Sequence, residues 1–377
     1  MSASSRAFRF VVDNSLLLIA GAVAAIVWAN VDNASYMSVA HAMHFAVNDI
    51  GMVFFFALAT KEVVEAMLPG GALSSPRQAA LPMLAAVGGM LVPAAIFIAG
   101  ATNAHHDDLT RGWAIPCATD IAFSYLAARM IFPKASPAIP FLLLLAIADD
   151  ALGLIVLAIF YPSGPLAFGQ LLLFMIPAMA AAWSMRRRKV TNFWAYLAVP
   201  GLLSWVALYV GGIHPALALV PIVPFMPAAR QDLGLFEPGE TRRRDTLDRF
   251  EHAWKIPVQF VLFFFGLANA GVPLSSVGAP TWLVLGGLIF GKPVGIVGMT
   301  LIGERAGLRR ATGLDTRSLV VLGCAAGIGF TVALFFATAA YAPGDVLDQA
   351  KMGALLSVLA APLAIALARA LGLRRNA

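Results

Sequence analysis

Charge is scarce in this sequence. Only 12% of its 377 residues are Asp, Glu, Lys or Arg, against about 25% in a soluble protein. So few charges cannot cover a soluble surface of this size. That excludes a cytosolic enzyme, a nucleic-acid reader and a disordered protein. Cysteine is scarcer still. Cys117 and Cys324 are the two present, too few for a secreted disulfide scaffold. Both lie in apolar runs and read as small buried hydrophobes. No GxxxxGK[ST] phosphate loop occurs, so nothing points to ATP hydrolysis. No polar stretch is long enough for a soluble domain.

What is abundant is apolar. Hydrophobic residues make up 60% of the chain and the mean hydropathy is +0.82. About 20 apolar residues cross a bilayer as a helix. The runs near 14–30, 42–67, 79–100, 113–132, 140–161, 168–184, 192–210, 213–227, 254–270, 281–302, 318–341 and 347–371 predict an all-α polytopic membrane protein. It has about twelve transmembrane helices and is one domain over 1–377. Arg6 and Arg9 ahead of the first run suggest a signal peptide, but Asp13 interrupts that pattern and eleven further spans follow.

The basic residues test this division. Arg111 and Lys351 alone occupy one set of alternate loops, and Lys61 and Lys292 fall inside spans. The other 22 of the 26 lysines and arginines sit at the termini and in the loops of the opposite set. By the positive-inside rule, both termini face the cytoplasm. The net charge of +6 marks that membrane face, not a nucleic-acid partner.

Charge inside a span is costly and by default functional. Asp149 and Asp150 lie in the middle of LLLLAIADDALGLIVLAIF. Adjacent helix positions point about 100° apart, so the two carboxylates reach different partners around one pocket and can hold a proton or a hard cation. Asp120 follows Pro116 by four residues, with Thr119 beside it. Proline breaks a helix, and a broken helix at membrane depth turns carbonyls and dipole ends into a cavity. Gly327-Ile328-Gly329, followed by Phe330-Thr331, is a second break in the other half. Two interrupted spans, near 116–120 and 327–331, point to an inverted-repeat transporter whose broken helices cross at mid-membrane. Lys292 lies beside Gly291 and Pro293, and a buried lysine keeps its proton when a carboxylate holds it. Asp149 or Asp150 is the expected partner. Glu62 and Glu65 share a helix face with Lys61 nearby, and His214, Glu251 and His252 sit near span ends. His105-His106-Asp107-Asp108 reads as a solvated loop.

At these residues the chain resembles the NhaA-type sodium/proton antiporters of bacterial inner membranes. The likeness runs from about 14 to 340. It is carried by RQAALPMLAAVGGMLVPA, AIPCATDIAFS, LLLAIADDALGLIVLAIFY, GGIHPALA, FEHAW, FGLANAGVPLS, GKPVGI and GIGFTVALFF. The resemblance implies an electrogenic secondary transporter, not an enzyme, that admits protons and exports Na+ or Li+ with no cofactor. It makes Asp150 the main cation-binding carboxylate and pairs Asp149 with Lys292. Thr119 and Asp120 would assist binding and balance the helix dipoles at the break. Asp49, Glu62, His214, Glu251 and His252 would serve the pH response. The transport bundle would be about 79–161 and 281–371, and the remaining helices a scaffold.

The family pattern is rearranged at Lys61-Glu62-Val63-Val64-Glu65 and at Lys255-Ile256. The loop from Asn30 to Ala42 is too short for the β-hairpin that joins protomers in better-known members. Any homodimer is then expected to rest on helix contacts and membrane lipid. A sodium-coupled symporter of an organic anion on a related fold is the alternative, and it needs a larger cavity. An intramembrane aspartyl protease would need a Gly-x-Gly-Asp turn, where this chain has Gly327-Ile328-Gly329-Phe330.

Overall fold

The computed structural model describes residues 15–71, 73–103, 105–133, 136–228 and 245–373. Arg6, Arg9, Lys134, Arg230, Arg242, Arg243, Arg244, Arg374 and Arg375, which carry part of the charge asymmetry, lie outside the described residues. Among the described residues every regular element is helical. The helices are α1 Leu16–Val31, α2 Asn33–Met67, α3 Pro76–Asn103, α4 Ile121–Ile131, α5 Ala138–Phe160, α6 Phe168–Arg187, α7 Phe193–Gly211, α8 Thr246–Asn269, α9 Ala279–Arg305, α10 Thr316–Ala326, α11 Phe330–Ala340 and α12 Asp345–Ala370. Helix suits a lipid-facing chain, because it satisfies each backbone polar group within the segment.

Seven of these helices are long and apolar enough to cross a membrane, and α10 with α11, bent by 49°, makes an eighth. The count of about twelve spans therefore needs one correction in particular. Residues 213–227 form no membrane-length helix. Only the short 3₁₀ turns Pro215–Leu217 and Val223–Phe225 appear there. Pro215, Pro221, Pro224 and Pro227 each remove a backbone donor, and Gly212 adopts the left-handed conformation at φ 79°. The segment is nevertheless buried, with Ala216 and Ile222 fully enclosed. A second difference is that α2 begins at Asn33, not near 42. Asp32 caps it, its side chain accepting from Ser35 N at 3.1 Å. One residue separates α1 from α2, and 33–44 is helix, so no hairpin occupies that connection.

Two of the prolines in the helices sit at π turns. Pro200 lies within the π-helical turn Leu197–Gly201 of α7, and the π turn Gly287–Gly291 of α9 immediately precedes Lys292 and Pro293. Such turns relieve the clash between a proline ring and the carbonyl four residues back. A third π turn, Phe45–Gly51 in α2, carries Asp49.

Packing groups α3, the break before α4, and α5 into one triad, and α9, the α10–α11 break, and α12 into another. The triads meet where α3 crosses α9. There Gly88 and Gly295 bring backbone against backbone, and a Cβ on either would strike the other's carbonyl. Outside them α1 packs on α8 and α6 on α7. At one end of the bundle, Tyr161 OH donates to Arg111 O at 2.8 Å and Tyr341 OH to Leu109 O at 2.6 Å. Together they hold the segment ahead of α4 over the triads. At another loop, Arg310 makes two 2.7 Å hydrogen bonds to Glu304 and so ties the end of α9 to the approach to α10.

Candidate functional site

The site begins with two breaks. After the 3₁₀ turn Ile115–Cys117, which holds Pro116 in its first positions, the chain becomes extended at Ala118 and Asp120. Asp120 then caps α4, its Oδ1 accepting from Phe123 N at 3.4 Å. In the other half α10 ends at Ala326, and Gly327-Ile328-Gly329 leads into α11. Gly327 leaves no room for a Cβ, because the Leu288 carbonyl lies against it.

The breaks satisfy each other. Asp120 N donates to Ile328 O at 2.7 Å, and Thr119 Oγ1 donates to Ala326 O at 3.0 Å. These take up carbonyls that the end of α10 leaves open. Asp120 Oδ2 accepts from Thr331 N at 3.2 Å and also from the Thr331 hydroxyl. One carboxylate thus answers the N-terminal ends of both α4 and α11, where positive partial charge collects. Asp120, Thr119 and Thr331 are all buried.

Beside the crossing, α5 presents Asp149 and Asp150. Lys292, from just after the π turn of α9, is fully buried. Its Nζ lies 2.8 Å from Asp149 Oδ2 and also donates to Cys117 O. Of the two partners left open by the residues, the structure selects Asp149. Asp149 Oδ1 is buried with no hydrogen-bond partner. Asp150 is half-buried and forms no hydrogen bond or ion pair among the described residues. Asp149, Asp150 and Thr119 line one cavity, walled by Phe55, Phe56 and Phe336 among others. The space open to water centres is about 20 Å³, room for one or two waters or a bare cation. The oxygen-only donor set of two carboxylates and a hydroxyl suits a hard cation.

The structure splits the residues expected to serve the pH response into two places. His214 Nδ1 lies 3.9 Å from Asp49 Oδ1 and accepts from Ala216 N at 3.3 Å. The His214 ring packs on Phe335 of α11 with centroids 4.8 Å apart. Glu251 instead joins Lys61, whose Nζ also lies 2.6 Å from Glu65 Oε2. Glu62 is exposed yet lies within electrostatic reach of Lys61, Glu251 and Glu65, and His252 is exposed and joins neither group. Among the described residues no set of three His, Cys, Asp or Glu side chains is placed to hold a metal.

Three participants are given no role by the sequence alone. Thr331 lies inside the GIGFTVALFF motif and was legible only as part of a break. Lys61 stands beside Glu62, but its partner Glu251 is 190 residues away. Ser357 touches the break from α12, and nothing in an apolar stretch marks it.

Comparison with known proteins bears on the whole chain. Residues 6–368 match the family model described as Na+/H+ antiporter 1. The chain is 46% identical over 370 residues to the Na(+)/H(+) antiporter NhaA of Geotalea uraniireducens, covering 96% of each chain. It is also 46% identical to the NhaA of Geobacter sulfurreducens, covering 96% of this chain and 97% of that one. Among solved structures, the sodium proton antiporter MjNhaP1 of Methanocaldococcus jannaschii superposes with a TM-score of 0.56 at 17% identity. That match covers 94% of this chain and 91% of the other, and it shows a shared fold. Broken spans crossing beside an aspartate pair, and likeness that runs nearly end to end, lead to one assignment: the chain belongs to the Na+/H+ antiporter 1 family.

Proposed function

We propose that this chain exchanges Na+ or Li+ for protons across a bacterial inner membrane, with both termini cytoplasmic and protons driving cation export. One observation carries the reading: Asp149 and Asp150 line an ion-sized cavity at the crossing, with Lys292 neutralising one of them.

The charge balance gives the coupling. Lys292 offsets Asp149, and the helix ends at the crossing offset Asp120. Asp150 leaves the cavity one negative charge. A bound cation or a proton removes it, so the two compete for the same oxygens. The loaded site is close to neutral and can change sides. The bare site carries an uncompensated charge, which is costly to move through a low dielectric. Asp149, Asp150 and Thr119 bind the cation and the protons, while Lys292 and Asp120 balance charge. The Asp149–Lys292 pair carries a second proton beside the one that competes at Asp150, so more protons than cations cross per cycle and the exchange is electrogenic. The bundle of about 79–161 and 281–371 moves against the other helices. Asp49, Glu62, His214, Glu251 and His252 set the pH response, and a homodimer rests on helix contacts and lipid.

Reconstitution into liposomes with a trapped pH dye tests this. Added Na+ or Li+ should raise the lumenal pH, and choline should not. No pH change with any alkali cation, or a change that needs an organic anion, would refute it.

A further inference from the structure

α4 and α11 begin at the same crossing, but their first turns are satisfied differently. α4 carries its own cap, Asp120. α11 starts after Gly329, which has no side chain to turn back onto the helix. The N–H groups of Gly329, Phe330 and Thr331 are buried there, and buried donors need acceptors. Thr331 N finds Asp120 Oδ2. The other two find Ser357 Oγ, at 3.1 Å from Gly329 N and 3.3 Å from Phe330 N.

Ser357 is fully buried and opens the 3₁₀ turn Ser357–Leu359, which interrupts α12. Its own proton is committed to Ala354 O at 2.6 Å, so its lone pairs are left for α11. A serine inside a helix commonly makes only that backward bond. This one also accepts from two donors on another span.

We propose that Ser357 is a positioning residue of the cation site, fixing the start of α11 so that Thr331 meets Asp120 and Thr119 stays against the cavity. The inference rests on reading the crossing as the transport site. Its route is short. Ser357 holds Gly329 and Phe330. Ile328, next in the chain, accepts from Asp120 N. Thr119, the neighbour of Asp120, lines the cavity. Without the hydroxyl, two N–H groups lack an acceptor in the turn that Asp120 already bonds. The carboxylate is then drawn toward α11, and Thr119 moves with it.

The test uses the full chain in liposomes as wild type, Ser357→Ala and Ser357→Thr. Ser357→Ala should raise the KM for Na+ about three- to tenfold. Its saturating turnover should stay within about twofold of wild type, and its melting temperature should fall by a few degrees for the two buried N–H groups left unpaired. Ser357→Thr keeps the hydroxyl and should restore KM. Ser357→Cys, whose sulfur is a weak acceptor, should fall between them, and it replaces the alanine variant if that protein cannot be purified. A wild-type KM in Ser357→Ala, or KM and melting temperature changing together in both the Ala and Thr variants, would overturn the inference. A wild type that exchanges no cation would instead refute the transport reading itself.

Discussion

Lys292→Met isolates the buried ion pair. Methionine keeps most of the side-chain volume, so little cavity opens. What disappears is the ammonium that lies 2.8 Å from Asp149 Oδ2 and bonds Cys117 O. Asp149 Oδ1 already lacks a partner, so the variant strands a whole carboxylate. Breaking a buried pair from one side costs about 3–5 kcal/mol. An unfolding entropy of about 2.1 cal/mol/K per residue, over the whole chain, turns this into a melting temperature lower by about 4–6 °C. The assay is thermal unfolding in detergent at pH 8, followed by tryptophan fluorescence. Adding Asp149→Asn to Lys292→Met removes the stranded charge and should recover most of the loss, since replacing both partners of a buried pair is far cheaper than removing one. The cycle should give a coupling of at least about 2 kcal/mol. Single-variant losses that simply add, or a Lys292→Met protein that melts like wild type, would refute the pairing.

Other outcomes follow from the same geometry. Thr331→Val leaves Asp120 Oδ2 with one donor instead of two and should destabilise by about 1–2 kcal/mol, read by the same melting assay; an unchanged melting temperature would count against that contact. Gly295→Val puts a branched side chain into the Gly88 carbonyl and should abolish recovery of folded protein from membranes, whereas the open position Gly298 should tolerate alanine. Asp315 caps α10, and hydrogen bonds from Ser318, side chain then backbone, hold its carboxyl below its usual value. A depressed carboxyl stabilises above its unfolded pKa and loses that contribution as pH falls through the folded one. Asp315→Ala should therefore cost about 1 kcal/mol near neutral pH, and the difference from wild type should begin to shrink only below about pH 4. A penalty that persists in acid would contradict the cap.

The elements that were legible in the sequence share a physical reason: the membrane leaves few ways to satisfy a backbone or a charge. Pro116 and Gly327-Ile328-Gly329 marked both breaks because lipid does not tolerate unsatisfied backbone. Lys292 and the aspartate pair stood out because charge at depth is expensive. Which aspartate the lysine chooses depends on tertiary geometry across 143 positions, so residue types alone left two options. The stretch 213–227 passed as a span on hydropathy, and its four prolines outweighed that hydropathy in the fold. Glu62 enters through the family resemblance, whereas the Lys61–Glu251 pair spans 190 positions and leaves no local sign in the sequence. Ser357 was invisible because its role is to accept hydrogen bonds from a different helix.

The central claim is that a cation and a proton compete for the oxygens of Asp149 and Asp150. Sodium affinity measured by calorimetry at several pH values, on wild type and Asp150→Asn, tests it most directly. Wild-type affinity should weaken toward about tenfold per pH unit on acidification for one displaced proton, and more steeply for two. Asp150→Asn should stay folded and show no sodium heat. Affinity independent of pH, or an Asp150→Asn protein that still binds sodium, would contradict the account.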